Sequence, residues 1–281
     1  MIVMEFKDKL RKFFEIPKTT EDGFKYYIVP DENNRDEIKI VGFSHKFTAT
    51  SIPSHIENIP VGIISALQSV PLKGEIYIPD TVHTIEDLGL SITKGITKIV
   101  VPSSLKLIGM GAFEFNEALE EIIFNDTDET ECGLSLSNAE SALNGCTKLK
   151  RVQLPDMIAI PMGFLSDCES LESIHIPETV LSIDDCAFSY CENLKEIDFP
   201  EFLEEIGELA FLECKSLESV QLPENVNFIG KSAFAGCENL REIRIPSGMK
   251  RICANAFANC PKLVRPVIPE GCSVDPKAFD N

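Results

Sequence analysis

From Leu171 onward the apolar positions recur every 23 residues. Leu171, Leu194, Leu217, Leu240 and Leu263 head five successive units, and the first four read L-x-x-[IV]-x-[ILF]-P-x-x-[apolar]-x-x-I, followed by A-F-x-x-C. The unit from Leu194 shows the pattern with Ile197, Phe199, Pro200, Leu203, Ile206, Ala210, Phe211 and Cys214. Positions 3 to 6 alternate outward and inward with β-branched residues inside, which predicts a strand. Proline at position 7 lacks an N–H and ends the ladder there. Ala, Phe and Cys at positions 17, 18 and 21 have the spacing that shares one face of a short helical turn. A single unit cannot bury these apolar faces, but stacked neighbours can.

The register persists upstream with drift. The unit from Leu149 has Val152, Leu154, Pro155, Ile158, Ile160, Phe164, Leu165 and Cys168 and is one residue short. The unit from Leu119 keeps Ile122 and Phe124, then carries about seven extra residues before Ala142, Leu143 and Cys146. That insert, around Asn125-Asp-Thr-Asp-Glu-Thr-Glu, is acidic and is expected to bulge as a loop on the convex side. The unit from Ile96 has Asn116 in place of Cys, and weaker units hold Ile76 to Leu90 and Ile52 to Ile59. With the truncated last unit, which holds Pro269 and Phe279, there are ten. A period of this length with apolar positions 1, 4 and 6 predicts an α/β solenoid over residues 46–281. The expected form is a leucine-rich-repeat right-handed superhelix with a parallel concave β-sheet and short helical turns on its convex side. Residues 1–45 break the pattern and are expected to form an N-terminal cap. Phe6, Leu10, Phe13 and Phe14 recur at helical spacing between Lys7, Lys9, Arg11 and Lys12, an amphipathic helix that would cover the open edge of the first repeat. The same pattern also suits a basic membrane-surface helix. Tyr26–Val29 and Ile38–Val41 read as two short strands.

Charge narrows the partners. The chain has 281 residues and a net charge of −19, with a pI of about 4.6. Nucleic-acid affinity comes from clustered Lys and Arg, so a phosphate-binding surface is disfavoured, as is adsorption on anionic lipid. No apolar run is long enough for a transmembrane helix. The start, Met1-Ile-Val-Met-Glu-Phe-Lys, lacks the apolar core of a secretory signal. The expected location is cytoplasmic if Met1 is the native start, and cell-surface or secreted if a signal was removed.

Ten cysteines suggest a disulfide framework until they are placed in the repeat. Cys146, Cys168, Cys191, Cys214, Cys237 and Cys260 all hold one position, three residues after the Phe or its Leu substitute. Once per repeat, buried free Cys acts as a small hydrophobe. Cys132, Cys186, Cys253 and Cys272 lie off this ladder, and no C-x-x-C supports a zinc site. No catalytic constellation is found. Gly230-Lys231-Ser232 lacks the upstream glycine of a phosphate loop, since Asn225 stands there. His45, His55, His83 and His175 are scattered, and no G-x-S-x-G occurs. No cofactor or metal is expected.

The units quoted above resemble the BspA-type leucine-rich repeats of bacterial surface proteins, as do Ile38-Lys-Ile-Val-Gly-Phe and Thr50-Ser-Ile-Pro-Ser-His-Ile-Glu-Asn-Ile-Pro-Val, over about residues 24–281. The resemblance implies a curved solenoid and adhesion or host-protein binding at the cell surface. It carries over no ligand-binding residue, because the motif consists of core positions. The expected function is a non-catalytic protein-interaction module, with an intracellular or structural scaffold as the alternative. Solenoids bind through their extended inner surface. Position 5 faces outward there, giving the row Tyr77, Val100, Ile123, Gln153, His175, Asp198, Gln221, Arg244 and Val267. Tyr77, Val100 and Ile123 form an apolar stripe of the kind that marks interaction sites, unless the N-terminal segment or the insert covers them. The partner is a protein of unknown identity. The position-3 row, from Glu75, Lys98, Glu121 and Arg151 to Arg265, places no like charges side by side and reads as scaffold support.

Overall fold

The computed structural model describes residues 16–44, 51–68, 70–125, 136 and 138–280. The chain is a β-solenoid of about ten turns built on parallel sheets. Among the described residues the coils build three columns, two of them sheets and the third a stack of turns.

The first sheet is the strand foreseen at positions 3 to 6. Lys73–Tyr77, Gly95–Val101, Glu121–Phe124 and Arg151–Gln153 form one continuous parallel ladder. Ser173–His175 then pairs with Glu196–Asp198, and Ser219–Gln221 with Glu242–Arg244. The second sheet is made of two-residue strands, four of them ending on the Ile of position 13 and the first and last on Ile160 and Val274 at position 12: Ala159–Ile160, Ser182–Ile183, Glu205–Ile206, Phe228–Ile229, Arg251–Ile252 and Ser273–Val274. Two residues are too few for alternation to signal a strand, so this column was not legible from periodicity. At the N-terminal end the same role is taken by Ile59–Ile64, Thr84–Ile85 and Leu107–Ile108. There an antiparallel hairpin, Phe24–Pro30 with Asp36–Phe43, joins the sheet by the parallel pairing of Asp36–Phe43 with Ile59–Ile64. His83 Nε2 lies 2.7 Å from Glu37 Oε2, and Lys39 reaches Glu86 at 2.7 Å, fastening hairpin to coils. The amphipathic segment at Phe6 to Phe14 and the acidic insert lie outside the described residues.

The third column corrects one expectation. No helix forms among the described residues, and the A-F-x-x-C segment is a run of overlapping turns. In the coil at Asp184–Cys191 the N–H groups alternate in direction. Ala187, Ser189 and Cys191 bond back to the carbonyls of Asp184, Cys186 and Phe188. Cys186, Phe188 and Tyr190 instead donate to Glu208, Ala210 and Leu212 of the next coil, at 2.7–2.9 Å. An α-helix would aim every N–H along its own axis. The alternation requires left-handed residues at two positions, and Cys186 and Tyr190 have φ of 58° and 59°. Each such non-glycine residue costs about 1–2 kcal/mol, which the bonds between coils offset. The spacing predicted the inward face correctly, but the backbone satisfies its polar groups in the neighbouring coil.

The core runs unbroken between the columns. Phe188, Phe211, Phe234, Phe257 and Phe279 stack with centroids 5.1–5.5 Å apart. Beside them each ladder cysteine donates its Sγ–H to a carbonyl of the preceding coil, as Cys214 does to Phe188 at 3.3 Å. Asn116, in the cysteine position, does the same with Nδ2 to Leu90 at 2.9 Å. Burial pushes the Cys146 and Cys191 thiols up to about 12 and Cys214 well above its ordinary value. In the short unit the deleted residue falls just after Pro155. Met157 therefore takes the inward slot and Ile158 is 73% exposed, a second correction.

Candidate interaction face

The first sheet sets the geometry of the outward row. Strand register places Tyr77 beside Val100, Val100 beside Ile123, and Ile123 beside Gln153. Farther along, His175 stands beside Asp198 and Gln221 beside Arg244. Parallel neighbours lie about 4.8 Å apart, so side chains at one position form a file. Tyr77 is 60% exposed, Val100 and Ile123 are half-buried, and Gln153 to Arg244 are exposed.

The neighbouring position-3 file holds the apolar stretch in place. Glu121 accepts from Lys98 Nζ at 3.0 Å and from Arg151 Nε at 2.9 Å. Hydrogen bonds from Arg151 and then Lys98 lower its carboxyl to about 2. Tyr77 Oη donates to Glu75 Oε2 at 3.0 Å, which raises the phenol above its ordinary value. Opposite charges on adjacent strands thus flank the apolar file along one side. In the other half, His175 Nδ1 lies 2.9 Å from Asp198 Oδ2, and Arg244 pairs with Glu224. These pairs are exposed and contribute little to stability.

Among the described residues no cluster of His, Cys, Asp or Glu is arranged to hold a metal ion, and no helix is long and apolar enough to cross a membrane. The described cysteines are free thiols.

The BspA type leucine rich repeat region matches residues 42–159 and 158–281. The chain belongs to the BspA-type leucine-rich-repeat family. No curated protein matches it. Among solved structures, a leucine rich repeat protein of T. pallidum is 25% identical, with 92% of this chain and 85% of that one covered and a TM-score of 0.39. A leucine-rich repeat protein from Bacteroides ovatus is 20% identical over 92% and 90% of the two chains, with a TM-score of 0.44. A leucine rich cell surface protein from Faecalibacterium prausnitzii is 19% identical over 94% and 96%, with a TM-score of 0.36. The repeats of this family suggest a protein-interaction module.

Proposed function

We propose that this BspA-type protein is a non-catalytic module that recognises a protein partner through the outward row of its first sheet. The observation that carries this reading is the register-aligned apolar file Tyr77–Val100–Ile123, partly exposed on a sheet whose other outward positions are polar. An apolar anchor flanked by charged groups along one side and continued by polar positions along its file has the composition of an interface hot spot. The polar half, Gln153 to Arg244, would supply specificity. Adhesion or binding of a host protein is the family-level form of this function.

The test replaces Tyr77, Val100 and Ile123 together by Ser. The variant should keep its thermal transition within a few degrees while losing, on the order of tenfold or more, the partner that wild type captures from host extracts. Undiminished capture would overturn the reading. Protease-shaving of intact source cells, with a cytoplasmic control, addresses location. Loss of the protein supports surface adhesion, and survival supports the intracellular scaffold.

A further inference from the structure

The last coil does not complete the first sheet. In the four preceding coils the inward position 4 holds Ile174, Ile197, Val220 and Ile243. In the last coil it holds Pro266, which has no N–H to give and cannot continue a ladder. Residues 261–268 form no strand. Among the described residues one backbone bond ties them to the strand Glu242–Arg244 or its flanks, from Val264 N–H to Arg241 C=O at 3.0 Å. The other two columns continue to the end: Arg251–Ile252 pairs with Ser273–Val274, and Phe257 N–H donates to Ala278 C=O at 2.8 Å. The coil is therefore held on two sides and splayed on the third.

The splay opens a groove of about 570 Å³ along the sheet edge, lined by Arg241, Arg244, Arg265, Val264 and Val267 with Glu242 and the buried Ile245. Val264 and Val267 are 74% and 89% exposed. Two of the guanidinium groups are held in place: Arg244 pairs with Glu224, and Arg265 lies over the Phe279 ring at 5.1 Å. Among the described residues Arg241 is exposed and in no ion pair, unlike Arg244. Residues 241–281 carry seven cationic and four anionic side chains, a net of +3 in a chain whose total is −19.

We propose that this groove takes an extended acidic peptide of a partner protein, which adds a strand to the edge left at Glu242–Arg244. An unpaired edge offers backbone hydrogen bonds to an added strand, and alternate side chains of that strand find the pockets. Three arginines stand against two carboxylates, Glu242 in the lining and Glu224 on Arg244, and the remaining positive charge, centred on Arg241 and Arg265, selects acidic residues on the peptide's outer face. The exposed valines suit apolar residues between them. A second copy docked tail to tail would set the two arginine groups against each other, at a cost in repulsion. The net negative charge of the rest of the chain repels an acidic peptide, so the groove is where it can bind. The groove lies beyond the apolar file at Tyr77 to Ile123 and shares only Arg244 with the proposed recognition row.

The probe is a short fluorescein-labelled peptide of alternating Glu and Val, with a Lys–Val peptide as control, followed by fluorescence anisotropy. The acidic peptide should bind, weaken as salt is raised, and lose at least about tenfold in affinity with Arg241→Glu. Pro266→Val restores an inward β-branched residue and an N–H, so the last coil should pair with Glu242–Arg244 and close the groove. It keeps all three arginines, so loss of binding in Pro266→Val, with an unchanged or raised thermal midpoint, separates strand addition from simple attraction. The triple Ser variant at Tyr77, Val100 and Ile123 should bind the peptide like wild type, which keeps this result independent of the apolar file that carries the proposed function. The proposal is overturned if the acidic peptide fails to bind at about millimolar concentration, or if the Lys–Val peptide binds equally. Full binding by Pro266→Val overturns it too. Self-association dispersed by Arg241→Glu would give the groove to a second copy and overturn it as well.

Discussion

The turn column and the first sheet belong to the same coils and differ in regularity. From Asp184 to Cys260 the turn column passes every coil with the same alternating bonds, the same stacked Phe and the same buried thiol, and Phe279 of the last coil extends the stack. The first sheet is continuous from Lys73 to Gln153, then falls into pairs, and ends at Arg244, one coil before the turns do. The reason is what each column must bury. From Phe188 to Cys260 the Phe and Cys positions are wholly enclosed, so one side chain fits and recurs. The strand offers half its positions to solvent, where chemistry is free to vary. Stability is thus concentrated in the turns, and variation in the sheet, which is why recognition is proposed there.

The largest effect that sharpens this contrast is Phe211→Ala. The ring is fully buried between Phe188 and Phe234, with Phe199 edge-on at 6.0 Å. Its removal should cost about 3–5 kcal/mol by cavity formation, read by urea or thermal unfolding. Ile197→Ala, at a half-buried strand position of the neighbouring column, should cost no more than about 2 kcal/mol. Equal losses would break the contrast.

Alkaline pH comes next. The folded ladder thiols keep their protons up to about 12 for Cys146 and Cys191, whereas unfolded thiols ionise near 8.5. Their contribution is complete below the unfolded value and is lost as pH rises toward the folded one. Each such thiol should remove about 1.4 kcal/mol per pH unit in that window. Replacing Cys191 by Ala should flatten the slope of unfolding free energy against pH. In native protein the half-exposed Cys186, Cys253 and Cys272 should react with a thiol reagent before any ladder cysteine.

The smallest effects test the left-handed positions. Gly236 has φ of 75°, and a Cβ there would stand 2.3 Å from Glu213 Oε1. Gly236→Ala should destabilise by about 1–2 kcal/mol. Glu213, at the matching position of the coil before, has φ of 58°, and Glu213→Gly should stabilise by up to about 1 kcal/mol. A shift of the opposite sign in either variant would show that strain in the turns does not limit stability.

The 23-residue period by itself determined the solenoid, the inward residues of each unit and the order of the outward file, because burial in a stacked coil repeats with the coil and leaves its mark on composition. It also placed the cysteines as packing groups. The family resemblance followed from the same positions. What the pattern could not carry is where the backbone sends its hydrogen bonds. Cys186, Leu209 and Ser232 occupy left-handed conformations that no glycine announces, so a turn column reads as a helix until neighbouring coils supply acceptors. The two-residue second sheet, the slip that exposes Ile158 and buries Met157, and the splay at Pro266 are likewise settled only when one coil lies against the next. Each depends on which polar backbone groups the neighbour can satisfy, and a single strand of sequence does not hold that information.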